Sequence, residues 1–167
     1  MNVSPIELTA GHYAESVMSI LDAAGLDPAY LEIEVTERTL LDEAAMAELQ
    51  RLKQQGVLIS LDDFGTGYSS LSYLAQFPMD YLKIDQSFIR GLPDRKTDVT
   101  LVNSMISMSK ELGIGVIAEG VETQAQLEYL KLKGCDIVQG YFHYAPMPPE
   151  EVDRQLANGA STVDKAG

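Results

Sequence analysis

The sequence predicts an α/β fold in which parallel strands alternate with helices. Three observations favour this class: short apolar runs typical of buried strands recur along the chain, amphipathic segments separate them, and the connections are short. A helix between two strands returns the chain to the starting end of the sheet, so strands connected in this way pair in parallel. About five βα units of this kind follow a helical start.

The helical start is indicated by the segment Ser4-Pro5-Ile6-Glu7. Serine suits the N-cap, proline suits the first helical position, and glutamate at the third position completes a capping box. With an interruption near Gly11, the helix continues to Ala24. It ends at Gly25, because glycine readily adopts the left-handed backbone of a helix end.

The remaining strands and helices alternate along the chain. Apolar and β-branched runs predict strands over residues 31–35, 57–61, 81–85, 114–118 and 136–140. Apolar spacing and terminal glycines predict helices over residues 42–55, 69–76, 98–112, 123–134 and 149–156. The fourth of these helices begins with a capping box formed by Thr123 and Gln126. A loop is predicted through Gly91 and Pro93, and residues 158–167 are expected to be a disordered tail.

The charge balance of the 167-residue chain excludes one large class of partners. Its 25 acidic and 12 basic side chains give a formal charge of −13, which opposes binding to polymeric nucleic acid. No run approaches the roughly 18 apolar residues of a membrane helix, and the amino end lacks the layout of a secretory signal. The single cysteine, Cys135, suits a reducing compartment. We therefore expect a cytoplasmic protein in which this segment contacts no membrane.

Charged and amide side chains recur where the predicted strands end. They are Glu34, Glu37, Asp62, Asp63, Lys83, Asp85, Glu119, Glu122 and Gln139. Parallel α/β folds bind ligands at that edge of the sheet, so we expect these side chains to surround one opening. Clustered carboxylates repel one another unless a cation binds them. The pattern therefore predicts a cation site.

The donor types indicate which cation such a site takes. Oxygen ligands favour Mg²⁺ or Mn²⁺, whereas a zinc site usually recruits histidine or cysteine, and the chain has only two histidines. Adjacent aspartates such as Asp62 and Asp63 allow one carboxylate to bridge two ions while its neighbour binds the second. This geometry suits two-metal phosphoryl chemistry, in which the ions lie about 3.5–4 Å apart.

Several of these residues also have a structural interpretation. Glu37 can cap a helix or hold a loop, and Glu122 can serve the start of the helix that follows it. Lys83 can form a structural ion pair with Asp85 in the interior of the fold.

Four motifs in order resemble the EAL-domain phosphodiesterases, which linearise cyclic di-GMP. They are Asp-Asp-Phe-Gly-Thr-Gly-Tyr-Ser-Ser-Leu at residues 62–71, Leu-Lys-Ile-Asp at 82–85, Ala-Glu-Gly-Val-Glu-Thr at 118–123 and Gln-Gly-Tyr at 139–141. The resemblance runs from Asn2 to about Val152. It implies a (β/α)8 TIM-like barrel that is truncated at its amino end, with residues 1–157 as a partial EAL-type domain.

The resemblance also implies a role for each site residue. The implied metal ligands are Asn2, Glu34, Asp62, Asp63 and Glu119, and the implied cofactors are two Mg²⁺ or Mn²⁺ ions. Lys83 resembles the lysine that orients the attacking water, and Glu119 the glutamate described as general base or outer ligand. Glu37 resembles the anchor of a glycine-containing loop that couples dimerisation to metal binding, so a homodimer is implied. The residues that support this site are implied to be Asp85, Glu122 and Gln139.

The implied reaction is in-line attack of water on one phosphodiester of cyclic di-GMP, which yields linear pGpG. The sequence lacks the Glu-Ala-Leu segment that names the family, and a closed barrel needs about 250 residues. We therefore expect either that another segment or chain completes the barrel or that the chain associates through its open sheet edges. A non-catalytic module that binds cyclic di-GMP or a protein partner is the alternative hypothesis, and a different divalent-metal barrel hydrolase is a third.

Overall fold

The computed structural model describes residues 1–65, Leu74 and residues 77–157. The strands are β1 (Glu32–Thr36), β2 (Leu58–Phe64), β3 (Tyr81–Ile84), β4 (Gly115–Glu119) and β5 (Ile137–Gln139). The helices are α1 (Pro5–Thr9), α2 (Tyr13–Ala24), α3 (Glu43–Gln54), α4 (Gln86–Ile89), α5 (Lys96–Leu112), α6 (Gln124–Lys133) and α7 (Pro149–Ala157). The predicted α/β class is confirmed.

All five strands form one parallel sheet in the order β1-β2-β3-β4-β5. Residues 1–3 extend this sheet beside β1, because Val3 N donates to Glu34 O at 3.1 Å and Glu34 N donates to Met1 O at 2.8 Å. A sheet whose spatial order follows the chain order, without reversal, is typical of a barrel rather than a doubly wound sheet.

Apolar side chains on one face of the strands form the core. In β1, buried Ile33 and Val35 alternate with partly exposed residues, as expected for a strand with one covered face. They pack in one cluster with buried residues of the helices, including Leu49, Leu52 and Leu130. The opposite face of the sheet carries polar side chains together with buried Ile117, which is in register with Lys83.

Two aspartates fix the amino ends of the sheet. Asp80, just before β3, accepts a hydrogen bond from Ile59 N at 2.8 Å, and Asp136, just before β5, accepts one from Val116 N at 2.8 Å. Asp80 also pairs with Lys53 from α3. These side chains satisfy backbone donors at the end of the sheet opposite to the charged strand ends.

The structure corrects the sequence-based prediction in two places. Strand β2 continues to Phe64, whereas the sequence predicts its end at Leu61. Residues 86–89 form α4 within a segment predicted as loop, because Asp85 caps this helix by accepting from Ser87 N at 3.0 Å. Apart from Leu74, the helix predicted over residues 69–76 lies outside the described residues, as does the predicted tail.

Within residues 1–65, 74 and 77–157, no helix combines the length and apolar character needed to cross a bilayer.

The predicted helix interruption near Gly11 is confirmed, since both Gly11 and His12 have positive φ. The capping boxes at Ser4 and Thr123 are also confirmed.

Gly140 provides a test of how closely the end of β5 approaches the loop after β4. A Cβ added at Gly140 overlaps the backbone of Val121 and lies 2.8 Å from its carbonyl carbon. Gly140→Ala is therefore expected to lower the free energy of unfolding by about 3 kcal/mol. The measurement is urea unfolding of the 167-residue chain followed by circular dichroism.

The matched control is Gly113→Ala. Gly113 has nothing within 4 Å of an added Cβ and a φ of +71°, so this change is expected to cost only the roughly 1–2 kcal/mol of a left-handed backbone. If both substitutions lower the free energy of unfolding by the same amount, the structure accommodates the added Cβ next to Val121 without an energetic penalty, which would contradict the prediction.

Candidate active site

Four adjacent strands place charged side chains at one rim of the sheet. Glu34 lies in β1, Asp62 in β2, Lys83 in β3 and Glu119 at the end of β4. Their neighbours within the strands include the buried apolar residues of the core face. Because side chains alternate along a strand, the four polar groups share the opposite face.

Lys83 is at the centre of this group. Its Nζ lies 2.7 Å from Glu34 Oε2, 2.7 Å from Glu119 Oε1 and 3.5 Å from Asp62 Oδ1. The Lys83 side chain is only 5% exposed, and the three carboxylates are 16–22% exposed. One ammonium therefore joins carboxylates from three other strands in a setting that is largely shielded from water.

These contacts change the acidity of the charged groups. Burial alone lowers the pKa of the Lys83 ammonium, but hydrogen bonds to Glu119 and Glu34 and the charges of Glu119 and Asp62 outweigh it, so the pKa is raised. The pKa of Glu119 is also raised, because burial and the charges of Asp62 and Glu34 outweigh the opposing effect of Lys83. Lys83 therefore remains a cation at neutral pH, and Glu119 is a stronger base than an exposed glutamate.

Asp63 lies at an irregularity in β2. Its φ is +56°, in the left-handed region that aspartate tolerates better than most residues, and the register with β3 shifts between Leu61 and Phe64. Asp63 N donates to Asp62 Oδ1 at 3.0 Å. Burial, followed by the charges of Asp62 and Asp85, raises the pKa of Asp63 against the lowering effect of Lys83. Asp63 therefore belongs to the same electrostatic cluster as the rim residues.

Asn2 and Glu37 both lie next to β1. The backbone of Asn2 forms an isolated parallel bridge with Glu34, which places Asn2 at the edge of the sheet beside the cluster. Glu37 follows β1, and its Oε1 accepts a hydrogen bond from Gly65 N at 3.1 Å. This contact fixes the first residue of the glycine-containing segment, of which Thr66 and Gly67 lie outside the described residues.

The other three predicted residues lie at or just beyond the carboxyl ends of β3, β4 and β5. Asp85 is the N-cap of α4, and the described ion pairs of Lys83 are with Glu34, Asp62 and Glu119 rather than with Asp85. Glu122 is exposed, and its backbone N donates to Gln126 Oε1 at 2.8 Å. Gln139 is in register with Glu119 at the edge of the sheet. The structural pairing of Lys83 with Asp85 is therefore wrong.

An open cavity of about 450 Å³ adjoins the rim at Gln139. Its lining is largely apolar and includes Tyr141, Tyr144 and Met147, with Val152 from α7. An apolar, aromatic cavity beside a polar cluster is typical of a site for a small ligand.

The sequence assigns Gln126 only a helix cap, and the structure adds a second contact. Its Nε2 donates to Ile89 O at 3.2 Å, while its Oε1 accepts from the backbone N of Glu122 and Thr123. In the sequence, only the residue type indicated this second contact, because a glutamine in a capping box has an N–H donor that a glutamate lacks.

The chemistry of the rim fits a hard divalent cation. Within the described part of the chain, no three His, Cys, Asp or Glu side chains are already arranged around an ion position. The donors are nevertheless oxygen atoms, and four carboxylates (Glu34, Asp62, Asp63 and Glu119) against one ammonium leave an excess of negative charge. Such a donor set matches Mg²⁺ or Mn²⁺.

A parallel sheet in chain order with a polar cluster at its strand ends defines a β/α-barrel domain with its site at the carboxyl ends of the strands. The chain belongs to the EAL domain family, whose sequence model matches residues 1–146.

The relatives of this chain include proteins named for cyclic di-GMP. The cyclic di-GMP phosphodiesterase NbdA of Pseudomonas aeruginosa is 41% identical over 150 residues, which are 89% of this chain and 19% of that protein. The chain spans about a fifth of the length of the curated relatives it matches.

Solved structures show the same fold. The Pseudomonas aeruginosa MucR phosphodiesterase in complex with cyclic di-GMP matches with a TM-score of 0.84 and 40% identity, over 90% of this chain and 62% of that chain. A manganese and cyclic di-GMP complex of Klebsiella pneumoniae BlrP1 matches with a TM-score of 0.78 and 34% identity, over 85% of this chain and 37% of that chain. The five strands are therefore part of a (β/α)8 TIM-like barrel.

The central position of Lys83 predicts a pH-dependent loss of stability in Lys83→Met. Without the ammonium, Glu119 loses the hydrogen bond and charge that lower its pKa, so burial and the charges of Asp62 and Glu34 raise that pKa further above its value in the unfolded chain. A carboxylate with a raised folded pKa destabilises the fold as pH rises through that pKa. Lys83→Met should therefore lose about 3 kcal/mol at pH 7 and much less near pH 4, measured by urea unfolding across this range.

Lys53→Met is the matched control, since Lys53 pairs with Asp80 at the opposite end of the sheet and its side chain is 27% exposed. We expect a loss below about 1 kcal/mol with little dependence on pH. A pH-independent loss in Lys83→Met would contradict an electrostatic role for the ammonium.

Proposed function

We propose that this chain carries the reactive rim of a cyclic di-GMP phosphodiesterase, a metal-dependent hydrolase that converts cyclic di-GMP to linear pGpG. The observation that carries the proposal is the Lys83 ammonium held among Glu34, Asp62 and Glu119 at the strand ends of an EAL-family sheet. Relatives that are named cyclic di-GMP phosphodiesterases support the substrate class.

The proposed metal ligands are Asn2, Glu34, Asp62, Asp63 and Glu119, and the proposed cofactors are two Mg²⁺ or Mn²⁺ ions. Their oxygen chemistry and the excess negative charge support this assignment, as does the manganese named for the BlrP1 complex. Bound divalent ions supply charge for the phosphodiester oxygens and make a water molecule more acidic.

The side chains of this chain then orient the reactants and move the proton. Lys83, which stays charged, donates a hydrogen bond that orients the attacking water. Glu119, whose pKa is raised, accepts a proton from that water. The water oxygen forms a bond to phosphorus as the bond from phosphorus to the 3′ oxygen breaks. The 3′ oxygen takes up a proton from solvent, and Glu119 releases the proton that it accepted back to solvent. The product carries a 5′ phosphate and a free 3′ hydroxyl.

The remaining residues support this rim. Glu37 anchors the segment that begins at Gly65, and the same segment is the proposed link to a homodimer. Asp85, Glu122 and Gln139 hold the loops around the site. The aromatic cavity beside Gln139 suits a purine base of the substrate. Residues 1–157 are the proposed partial barrel domain, which a further segment or chain completes.

Hydrolysis is tested by incubating the protein with cyclic di-GMP and either Mg²⁺ or Mn²⁺ and measuring pGpG by chromatography. Glu119→Gln removes the proton acceptor and is expected to lower kcat by about 100-fold or more. The control Glu128→Gln makes the same change at an exposed residue of α6 and should leave kcat unchanged. Absence of pGpG with both metals would refute the enzymatic proposal.

A non-catalytic module that binds cyclic di-GMP is the second candidate. The observation in its favour is that the described sheet has five strands and does not close on itself, whereas a barrel of this class has eight strands. Isothermal titration calorimetry separates the candidates. Binding of cyclic di-GMP without formation of pGpG supports the second candidate, and turnover excludes it.

A further inference from the structure

The side chain of Gln126 is a buried amide that makes three hydrogen bonds outside its own helix. The residue is 5% exposed. Its Oε1 accepts from Glu122 N at 2.8 Å and from Thr123 N at 3.0 Å, and its Nε2 donates to Ile89 O at 3.2 Å. One side chain thus joins the loop after β4 to the last residue of α4.

A second contact joins the same two segments. A Cβ added at Gly120 lies 2.5 Å from Gln86 Cβ, so the backbone of Gly120 packs directly on the first residue of α4. Gly120 has a φ of +67°, which glycine adopts without strain. The loop after β4 is therefore held against both ends of α4.

These two segments begin where the charged strand ends stop. Helix α4 begins two residues after the end of β3, which carries Lys83, and the loop begins directly after Glu119. Lys83 Nζ and Glu119 Oε1 form the 2.7 Å contact of the rim. A displacement of the loop from α4 therefore moves one member of this ion pair relative to the other.

We infer that Gln126 is a positioning residue, whose amide clamps the loop of residues 120–123 to α4 and thereby sets the placement of Glu119 and Glu122 relative to Lys83. The inference rests on the proposed function for its catalytic consequence. A glutamine suits the clamp because its amide offers both an acceptor for two N–H groups and a donor for a carbonyl, whereas an ionised glutamate of the same length has no donor.

The experiment compares Gln126→Met, Gln126→Glu and the control Gln124→Met in the protein that contains this chain together with the segment or chain proposed to complete its barrel. Methionine keeps the length of the side chain and removes all three hydrogen bonds. Glutamate keeps an acceptor for Glu122 N and Thr123 N but, when ionised, has no donor for Ile89 O. Gln124 is an exposed residue of the same helix, so Gln124→Met makes the same chemical change without touching the clamp.

The first measurement is amide hydrogen exchange. In Gln126→Met, exchange at Glu122 and Thr123 is expected to rise about tenfold, while the amides of β2 stay protected. Gln126→Glu should keep these two amides protected, and Gln124→Met should match the native chain. Exchange at Glu122 and Thr123 within twofold of native in Gln126→Met would overturn the inference.

The second measurement is the kinetics of cyclic di-GMP hydrolysis at a temperature where circular dichroism shows each variant folded. Misplacement of the Lys83–Glu119 pair should lower kcat about tenfold to a hundredfold in Gln126→Met with little change in KM. An unchanged kcat per folded molecule, or an equal loss in Gln124→Met, would overturn the inference. If Gln126→Met folds poorly, Gln126→Glu carries the kinetic test, with a smaller loss of kcat expected.

The two proposals fail in different ways. If the native chain forms no pGpG, the proposed function fails, and the exchange measurement alone decides whether Gln126 fixes the loop. If the native chain is active and Gln126→Met is unaffected in both measurements, only the positioning role fails.

Discussion

The ammonium group of Lys83 is the interaction on which the arrangement of the rim depends. Carboxylates from β1, β2 and β4 approach it, and without a cation between them they would repel one another at the ends of neighbouring strands. Because Lys83 is almost fully buried, its charge is weakly screened by solvent and its interactions with the carboxylates are strong. The ion pairs therefore bring the carboxyl ends of four strands together, while the aspartates before β3 and β5 fix the opposite end of the sheet.

Contacts beyond the strands also fix the position of the loop after β4. Gly140 lies against Val121, and Val121 N donates to Gln139 O at 3.0 Å, so the loop after β4 is fixed to the end of β5 on one side. On its other side the same loop meets α4 through Gly120 and Gln126. The loop that follows Glu119 is therefore held by the end of β5 on one side and by α4 on the other, which limits how far this glutamate can move from Lys83.

The sequence predicts the sheet well because buried parallel strands carry continuous apolar runs, and it predicts the members of the rim because parallel strands end at one edge. It does not predict the partners of Lys83. Asp85 lies two residues after Lys83, so in a continuous strand the two side chains would share one face. Strand β3 ends at Ile84, however, and Asp85 caps α4. The left-handed backbone conformation of Asp63 cannot be predicted from the sequence either, because apolar periodicity carries no information on φ. The contact of Gln126 with Ile89 joins segments 37 residues apart, which a local capping pattern does not reveal.

The remaining charge of the rim connects its folding to its proposed chemistry. Glu34, Asp62, Asp63 and Glu119 carry more negative charge than Lys83 neutralises, and the raised pKa values of Asp63 and Glu119 show that these carboxylates are held less favourably than in water. Either protons or cations relieve this cost, and at neutral pH a divalent cation is the more effective, since it compensates several carboxylates at once. A cation that binds the folded rim more tightly than the unfolded chain also stabilises the fold. The acidic groups that make the rim less stable without a cation are therefore the groups proposed to bind metal.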